Sequence, residues 1–260
     1  MPTQPPRDRC ALTAMVLMLA MLMGGCSSYA VAPQGADMAL FGVAPEDVRA
    51  EQTDYGVADA LELRPLARFP SAIAVARVQS AAYSSRSHGV SYGRGAYTVV
   101  TTRTVEQDAD FAKVGQLEHV TGVAPLNRLV LASNLRSDRE LRTAAARLHA
   151  DLLLIYTFDT AVFSGDSDSP LDVVTLGFLP GKEARVVTTA SAVLMGTHNG
   201  YIYATAEATA ETSHRANTWT NERKVDEARH ATEGEAFGEL VDSFVQVWPS
   251  VLEHYAAGAE

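Results

Sequence analysis

The chain is short of cysteine, of aromatic residues and of a second long apolar run, and each shortage removes a class of protein. Only Cys10 and Cys26 are present, too few for the disulfide framework that small secreted domains use in place of a core. Apart from residues 11–23, no apolar stretch approaches the roughly 20 residues of a spanning helix. Basic residues are the minority, 21 against 31 acidic, for a net charge of −10. That balance argues against a nucleic-acid surface and against a polybasic membrane patch. Catalytic motifs are missing as well. No Gly-x-Ser-x-Gly elbow occurs, and the stretch from Thr160 to Gly165 lacks the paired glycines such a turn needs. The seven histidines, at 88, 119, 149, 198, 214, 230 and 254, share no short ligand spacing, so neither a metal nor another cofactor is expected.

What is present begins at the amino terminus. Arg7 and Arg9 precede about thirteen apolar residues, and Leu22-Met23-Gly24-Gly25-Cys26 follows. This arrangement resembles the lipobox of a bacterial lipoprotein signal peptide, with Met23 a less usual residue at its position. The resemblance implies cleavage before Cys26, acylation of the Cys26 thiol and of the new amino group, and loss of Cys10 with the leader. No thiol is then left for a disulfide or a nucleophile. Ser27 stands where inner-membrane retention signals often carry Asp, so the resemblance implies an outer-membrane anchor facing the periplasm. Removal of Arg7, Asp8 and Arg9 leaves 19 basic and 30 acidic residues, a net charge of −11. The expected organisation is a signal peptide over residues 1–25, a lipidated tether over 26–60 and one α/β domain over 61–260. Residues 38–41 of the tether are apolar enough to dock on that domain.

Within the domain, residues 71–79 alternate as a strand, with Ile73, Val75 and Arg77 on one face. Residues 80–97, rich in Ser, Tyr, Gly and Arg, read as a mobile loop or hairpin tip, and 98–103 as a short strand. Thr104-Val-Glu-Gln107 has capping-box spacing, opening a helix with Phe111, Val114 and Leu117 inward. Residues 123–131 form an apolar stretch broken by Pro125. Ser137-Asp-Arg-Glu140 is a second capping box, followed by Leu141, Ala144, Ala145 and Leu148 at helical spacing, with His149 in the last turn. The continuous apolar run 152–158 marks a strand buried on both faces. Strands 186–195 and 201–210 flank Asn199-Gly200, a hairpin signal. In the second of them Ile202, Ala204, Ala206, Ala208 and Ala210 face inward, and Tyr201, Tyr203 and Glu207 outward. Residues 212–232 read as a solvated strand end and an exposed helix. A third capping box, Thr232 to Glu235, opens an amphipathic helix of Phe237, Leu240, Val241, Phe244 and Trp248, interrupted at Pro249.

The segments Ile73-Ala-Val-Ala76, the helix and strand from Leu141 to Leu154, and Ala192-Val-Leu-Met195 running into Asn199-Gly-Tyr201 resemble the curli-secretion lipoprotein family and the amino-terminal domain of TolB. The resemblance implies a single mixed sheet with helices packed on it, an α/β (α+β) fold. It also implies a role as secretion component, activator or assembly factor rather than enzyme. The chain lacks the long paired amphipathic segments of a membrane pore.

Three local candidates for chemistry remain. Asp166, Asp168 and Asp172 place carboxylates at spacing that suits calcium, but without the glycine and glutamate of an EF-hand, and a solvated acidic turn is the better reading. Residues 171–179 are apolar enough to touch a membrane or to cap the core. Gly93-Arg-Gly95 has neither the further glycines nor the lysine of a phosphate loop. Tyrosine gives large contact area at low entropic cost, so Tyr83, Tyr92, Arg94 and Tyr97 of the 80–97 loop are the candidate partner contacts. The expected partners are the membrane, through the lipid, and an envelope protein, with a homo-oligomer or an export complex as alternatives and a hydrolase without a known motif as another.

Overall fold

A computed structural model describes residues 35–36, 60–83, 91–164, 183–215 and 222–256. Cys26, residues 38–41, Asp166, Asp168, Asp172 and the 171–179 stretch lie outside the described residues. Nine strands and three helices follow in the order β1 (Ser71–Ser80), β2 (Ser91–Tyr92), β3 (Arg94–Gly95), β4 (Tyr97–Val100), α1 (Asp108–Gly115), β5 (Val120–Pro125), β6 (Asn134–Leu135), α2 (Asp138–Arg147), β7 (Leu152–Ser164), β8 (Glu183–Gly196), β9 (Ile202–Arg215) and α3 (Glu222–Tyr255). The main sheet runs β2-β4-β1-β7-β8-β9, with β5 pairing the first half of β1 and β4 its second half. β1 is parallel to β5 and β7 and antiparallel to β4, so the sheet is mixed, with helices on both faces.

Alternation along β1 and β7 builds two cores, because successive side chains point to opposite faces of a strand. Ile73, Val75, Leu152, Leu154 and Phe158 pack with Phe237, Leu240, Phe244 and Trp248 of α3 and with Val114 of α1. Ala74, Ala76, Val78, Leu153 and Ile155 pack on the other face with Leu141, Ala144 and Ala145 of α2. The alanines let α2 lie close to the sheet. β7 is therefore the doubly buried central strand that its unbroken apolar run predicts.

Helix α2 starts on the predicted capping box, where the Ser137 N–H donates to Glu140 Oε2 at 3.0 Å. It ends at Arg147, short of the expected stop near Ala150, so His149 lies just beyond the last turn and not within it. The His149 N–H bonds to the Ala146 carbonyl and the Ala150 N–H to the Ala145 carbonyl, the paired bonds of a Schellman ending. His149 occupies the left-handed position of that motif at φ 56°, where glycine is usual.

Four expectations are corrected. The first concerns residues 80–97, which are not simply a loop. Their described part holds β2, β3 and the start of β4, and Gly93 and Gly95 take φ of 101° and 132° beside Leu135 and its carbonyl. These glycines serve close approach to β6, not mobility. Second, α1 begins at Asp108 with Gln107 as an N-cap lacking a side-chain bond, so Thr104–Gln107 is not its capping box.

Third, β9 carries the expected strand end to Arg215, but the helix after it is neither separate nor exposed. It is the start of α3, a helix of 34 residues that buries Asp226 and Arg229 and passes through both Thr232 and Pro249. Thr232 does not cap anything. Its hydroxyl donates to the Ala228 carbonyl one turn back, a bond available to threonine inside a helix. Gly234 allows close packing instead, since a Cβ there would come within 3.1 Å of the Val105 carbonyl. Pro249 is on the exposed side, where water can reach the carbonyl that loses its donor.

Fourth, β9 inverts at its start. Leu194 pairs with Ala204 but Met195 with Ile202, leaving Tyr203 as the extra residue of a bulge. Tyr203 is thereby buried and Ile202 is 48% exposed, opposite to the simple alternation, which holds from Ala204 to Ala210. Part of the expected tether is also docked. Gly35 bridges Gln79, and the Ala36 N–H donates to Thr157 Oγ1 at 2.8 Å.

Candidate functional site

Arginines gather with carboxylates at two places in the domain, one buried and one open. The buried cluster forms where β1 and β7 part beyond the Ala76–Ile155 pair. Arg77, on the same face as Ile73 and Val75, is 3% exposed and cannot keep its charge there without partners. Its Nη2 donates to Glu233 Oε2 at 2.8 Å and to the Tyr83 hydroxyl at 3.2 Å, and Nη1 lies 3.5 Å from Glu106 Oε1. The guanidinium stacks 4.5 Å from the centre of the Phe158 ring. Tyr156 donates to Glu106 at 2.8 Å, and Arg229, one turn before Glu233 on α3, lies 3.5 Å from its carboxylate and 2.6 Å from Asp226.

Burial alone would lower the Arg77 pKa, but Glu233, Tyr83 and Glu106 outweigh it and hold the guanidinium charged. Burial pushes the Glu233 carboxyl up, against the pull of Arg77 and Arg229. The two directions conflict over one ion pair. The Arg77 direction is the firmer, since a guanidinium keeps its proton in proteins. This cluster ties α3, β1, β7 and the 104–107 loop together. It is a brace, closed to solvent, and its shifted groups face one another.

The open cluster lies at the other end of β7. A cleft of about 530 Å³ runs along α2 to the start of β7 and the β8–β9 turn, lined by Arg68, Arg139, Arg142, His149, Asp151 and His198 among others. Asn199 and Gly200 shape it. Gly200, at φ 78°, lets the turn approach α2, since a Cβ there would sit 3.3 Å from Asp138 Oδ2. Asn199 accepts from the Tyr201 N–H and donates to the Arg64 carbonyl at 2.8 Å, pinning the 60–70 segment to the turn. Arg142 Nε donates to Asp138 at 2.6 Å, and its Nη1 reaches the carbonyls of Thr197 and His198 at 3.4 and 3.3 Å. His198 Nε2 stands 3.5 Å from Asp151 Oδ1, and Arg68 Nη2 4.0 Å from the same oxygen. The adjacent Thr197 hydroxyl is buried and makes no hydrogen bond, so it is not paired with His198 as a nucleophile with its base.

The sequence candidates are not brought together. Tyr97 is 1% exposed, and its hydroxyl donates to the Ser137 carbonyl at the start of α2. Burial, with Glu140 and Asp138 nearby, pushes its phenol far above the ordinary range. Tyr83 belongs to the buried brace. Both are corrected from partner contacts to interior residues, because their hydroxyls have buried partners to satisfy. Tyr92 is half-buried against the α2-side core, and Arg94 is exposed on β3. The cleft residues escaped sequence reading because they come from three separate segments. The capping box at Ser137–Glu140, His149 at the helix end and the Asn199-Gly200 turn were legible, but each as a structural signal and not as part of one cleft.

Comparison with known proteins adds little. No family model and no curated protein matches the chain. Solved structures align only loosely. A Xanthomonas campestris protein of the family DUF330 is 13% identical over 73% of this chain and 91% of its own, with a TM-score of 0.34. A homolog of neuraminyllactose-binding hemagglutinin from Helicobacter pylori gives 10%, 75%, 92% and 0.33 for the same measures. The lipoprotein GNA1162 from Neisseria meningitidis gives 13%, 70%, 99% and 0.28. Scores of this size carry no argument about this chain. No helix among the described residues is long and apolar enough to cross a membrane.

Proposed function

We propose that this chain is an outer-membrane lipoprotein, anchored through Cys26 and facing the periplasm, whose domain is a binding or assembly module of the cell envelope without catalysis. One observation carries the non-catalytic part. Of the buried groups with displaced pKa values, Arg77, Tyr83, Tyr156 and Glu233 are held against one another in the interior brace, and Tyr97 and Tyr203 are bonded to the backbone of Ser137 and Ala67. An active site would aim such groups into a cleft. The open cleft holds cations around a single His–Asp contact, an arrangement suited to holding an anion. The address rests on the resemblance of residues 22–26 to a lipobox.

Crosslinking in intact envelopes, followed by capture of the acylated protein, tests this reading. A discrete envelope partner is expected with the native chain, and Cys26→Ala protein should lose lipid labelling. Carbonate-resistant membrane association that is unchanged in Cys26→Ala would overturn the anchor. Substrate turnover abolished by His198→Ala would overturn the non-catalytic reading in favour of a hydrolase.

A further inference from the structure

The cleft beside the β8–β9 turn has a neighbour that gives its ligand a chemistry. The segment leading to β1 exposes Leu61, Leu63 and Leu66, at 72%, 36% and 53%. It is not loose. The Arg64 carbonyl accepts from Asn199, and the Ala67 N–H donates to the Tyr203 hydroxyl at 2.8 Å. Those two bonds fix an apolar strip against the turn that carries His198, and Arg68, next along the strip, lines the cleft.

We propose that the cleft binds the phosphodiester group of a ligand whose apolar part lies on Leu61, Leu63 and Leu66. Arg68, Arg139 and Arg142 face Asp138 and Asp151, which leaves one positive charge in excess, the complement of a singly charged diester. Arginine suits this group because its planar fork meets two phosphate oxygens at once. Arg142 is held in place by Asp138 and two carbonyls, whereas the Arg139 side chain is exposed and free to close on a ligand. His149 strengthens the assignment. A histidine stands in the left-handed position where glycine would be unstrained, and it lines the cleft. The volume, about 530 Å³, is that of a small-molecule site rather than of a single ion. The same diester occurs in a phospholipid headgroup and in a soluble glycerophosphodiester. This deepens the module reading and rests on it for binding without cleavage.

Calorimetric titration of the full acylated protein in neutral detergent separates the sources. The probes are glycerophosphoglycerol, dihexanoyl phosphatidylglycerol and, as zwitterionic control, dihexanoyl phosphatidylcholine. Saturable binding of the first two is expected, with the acylated one tighter by about tenfold or more because its chains leave water. Arg68→Gln/Arg139→Gln should weaken both by at least about tenfold with an unchanged thermal midpoint. His149→Gly should weaken both while keeping or raising the midpoint. Leu61→Ser/Leu66→Ser should remove only the advantage of the acylated probe. Equal affinity for the two anionic probes would overturn the apolar half of the proposal and leave a cleft for soluble diesters. Wild-type affinity in the folded double-arginine variant would overturn the proposal, as would dissociation constants weaker than about 1 mM for every probe. Cleavage of a bound diester would overturn the non-catalytic reading while leaving the site. Loss of diester binding with an intact envelope partner would do the reverse.

Discussion

Arg77 and Arg139 carry the same side chain at two places in one domain, and everything around them differs. Arg77 lies among Glu106, Glu233, Tyr83 and Phe158, almost wholly out of water. Arg139 projects from the exposed side of α2 beside a cleft, with no carboxylate bound to it among the described residues. In the first setting the charge is worth what its partners return for lost hydration, and it holds four segments together. In the second the charge remains hydrated and available. Sequence cannot distinguish the two. Burial does, and burial is decided by which strand face and which helix side each residue occupies.

The largest effect should therefore come from breaking the brace. Arg77→Leu leaves Glu106 and Glu233 buried without their shared cation, and a loss of about 3–5 kcal/mol in urea denaturation is expected. The sharper form adds Glu106→Gln and Glu233→Gln to Arg77→Leu. Removing all three charges together should restore much of the loss. A single variant with an unshifted midpoint would mean that the brace is not structural.

Next in size is the α2 side of the sheet. Leu153 is fully buried among Leu141, Ala144 and Ala145. Leu153→Ala should cost about 2–5 kcal/mol, since a core this close to a helix collapses little around a cavity. A loss well below that range would show that the alanine-rich face is loosely packed.

Much of this architecture was legible because local chemistry and burial agree there. Leu152 to Ile155 is apolar on both faces of the strand, so the run had one reading. Ser137 and Glu140 satisfy each other's backbone donors whatever packs above them. The misreadings have a common cause, which is polar residues buried by partners far away in sequence. Asp226, Arg229 and Glu233 look like a solvated helix face until Arg77, more than a hundred residues earlier, is placed beside them. Tyr83 and Tyr97 look like exposed contacts until the Arg77 guanidinium and the Ser137 carbonyl engage their hydroxyls. Tyr203 turns inward through a one-residue bulge that no alternation pattern predicts. The cleft was the least legible part, assembled from a pre-strand segment, one side of α2 and a turn.

Smaller effects belong to the buried tyrosines and to the start of α2. Tyr97→Phe removes the bond to the Ser137 carbonyl and should cost about 1 kcal/mol by denaturation. Replacing Tyr83 or Tyr97 by Ser should lower the midpoint sharply, whereas Tyr92→Ser should not. Glu140 adds a pH signature. Burial pushes its carboxyl up, but bonds from the backbone N–H groups of Glu140, Ser137 and Arg136 and from the Ser137 hydroxyl outweigh it and hold the pKa below the ordinary value. A depressed carboxyl stabilises the fold above its unfolded pKa of about 4.3. That contribution fades as pH falls through the lower folded value. Thermal midpoints of Glu140→Gln and the native chain should therefore differ at pH 6 and converge towards pH 3.

The smallest stability effect belongs to Arg139 itself, and it is the one that decides the comparison. Arg139→Gln keeps a long polar side chain on an exposed helix position. The Thr143 hydroxyl, which donates to the Arg139 backbone carbonyl at 2.8 Å, is untouched. Stability should stay within about 0.5 kcal/mol of the native chain, as for surface substitutions away from buried features. A loss on the scale of Arg77→Leu would mean that Arg139 is engaged in the fold, and the distinction between bracing and free arginines would collapse. An unchanged midpoint leaves the cation with no structural duty. It then stands beside Arg142, whose own place is fixed by Asp138 and by the turn carbonyls, and the charge is kept for what enters the cleft.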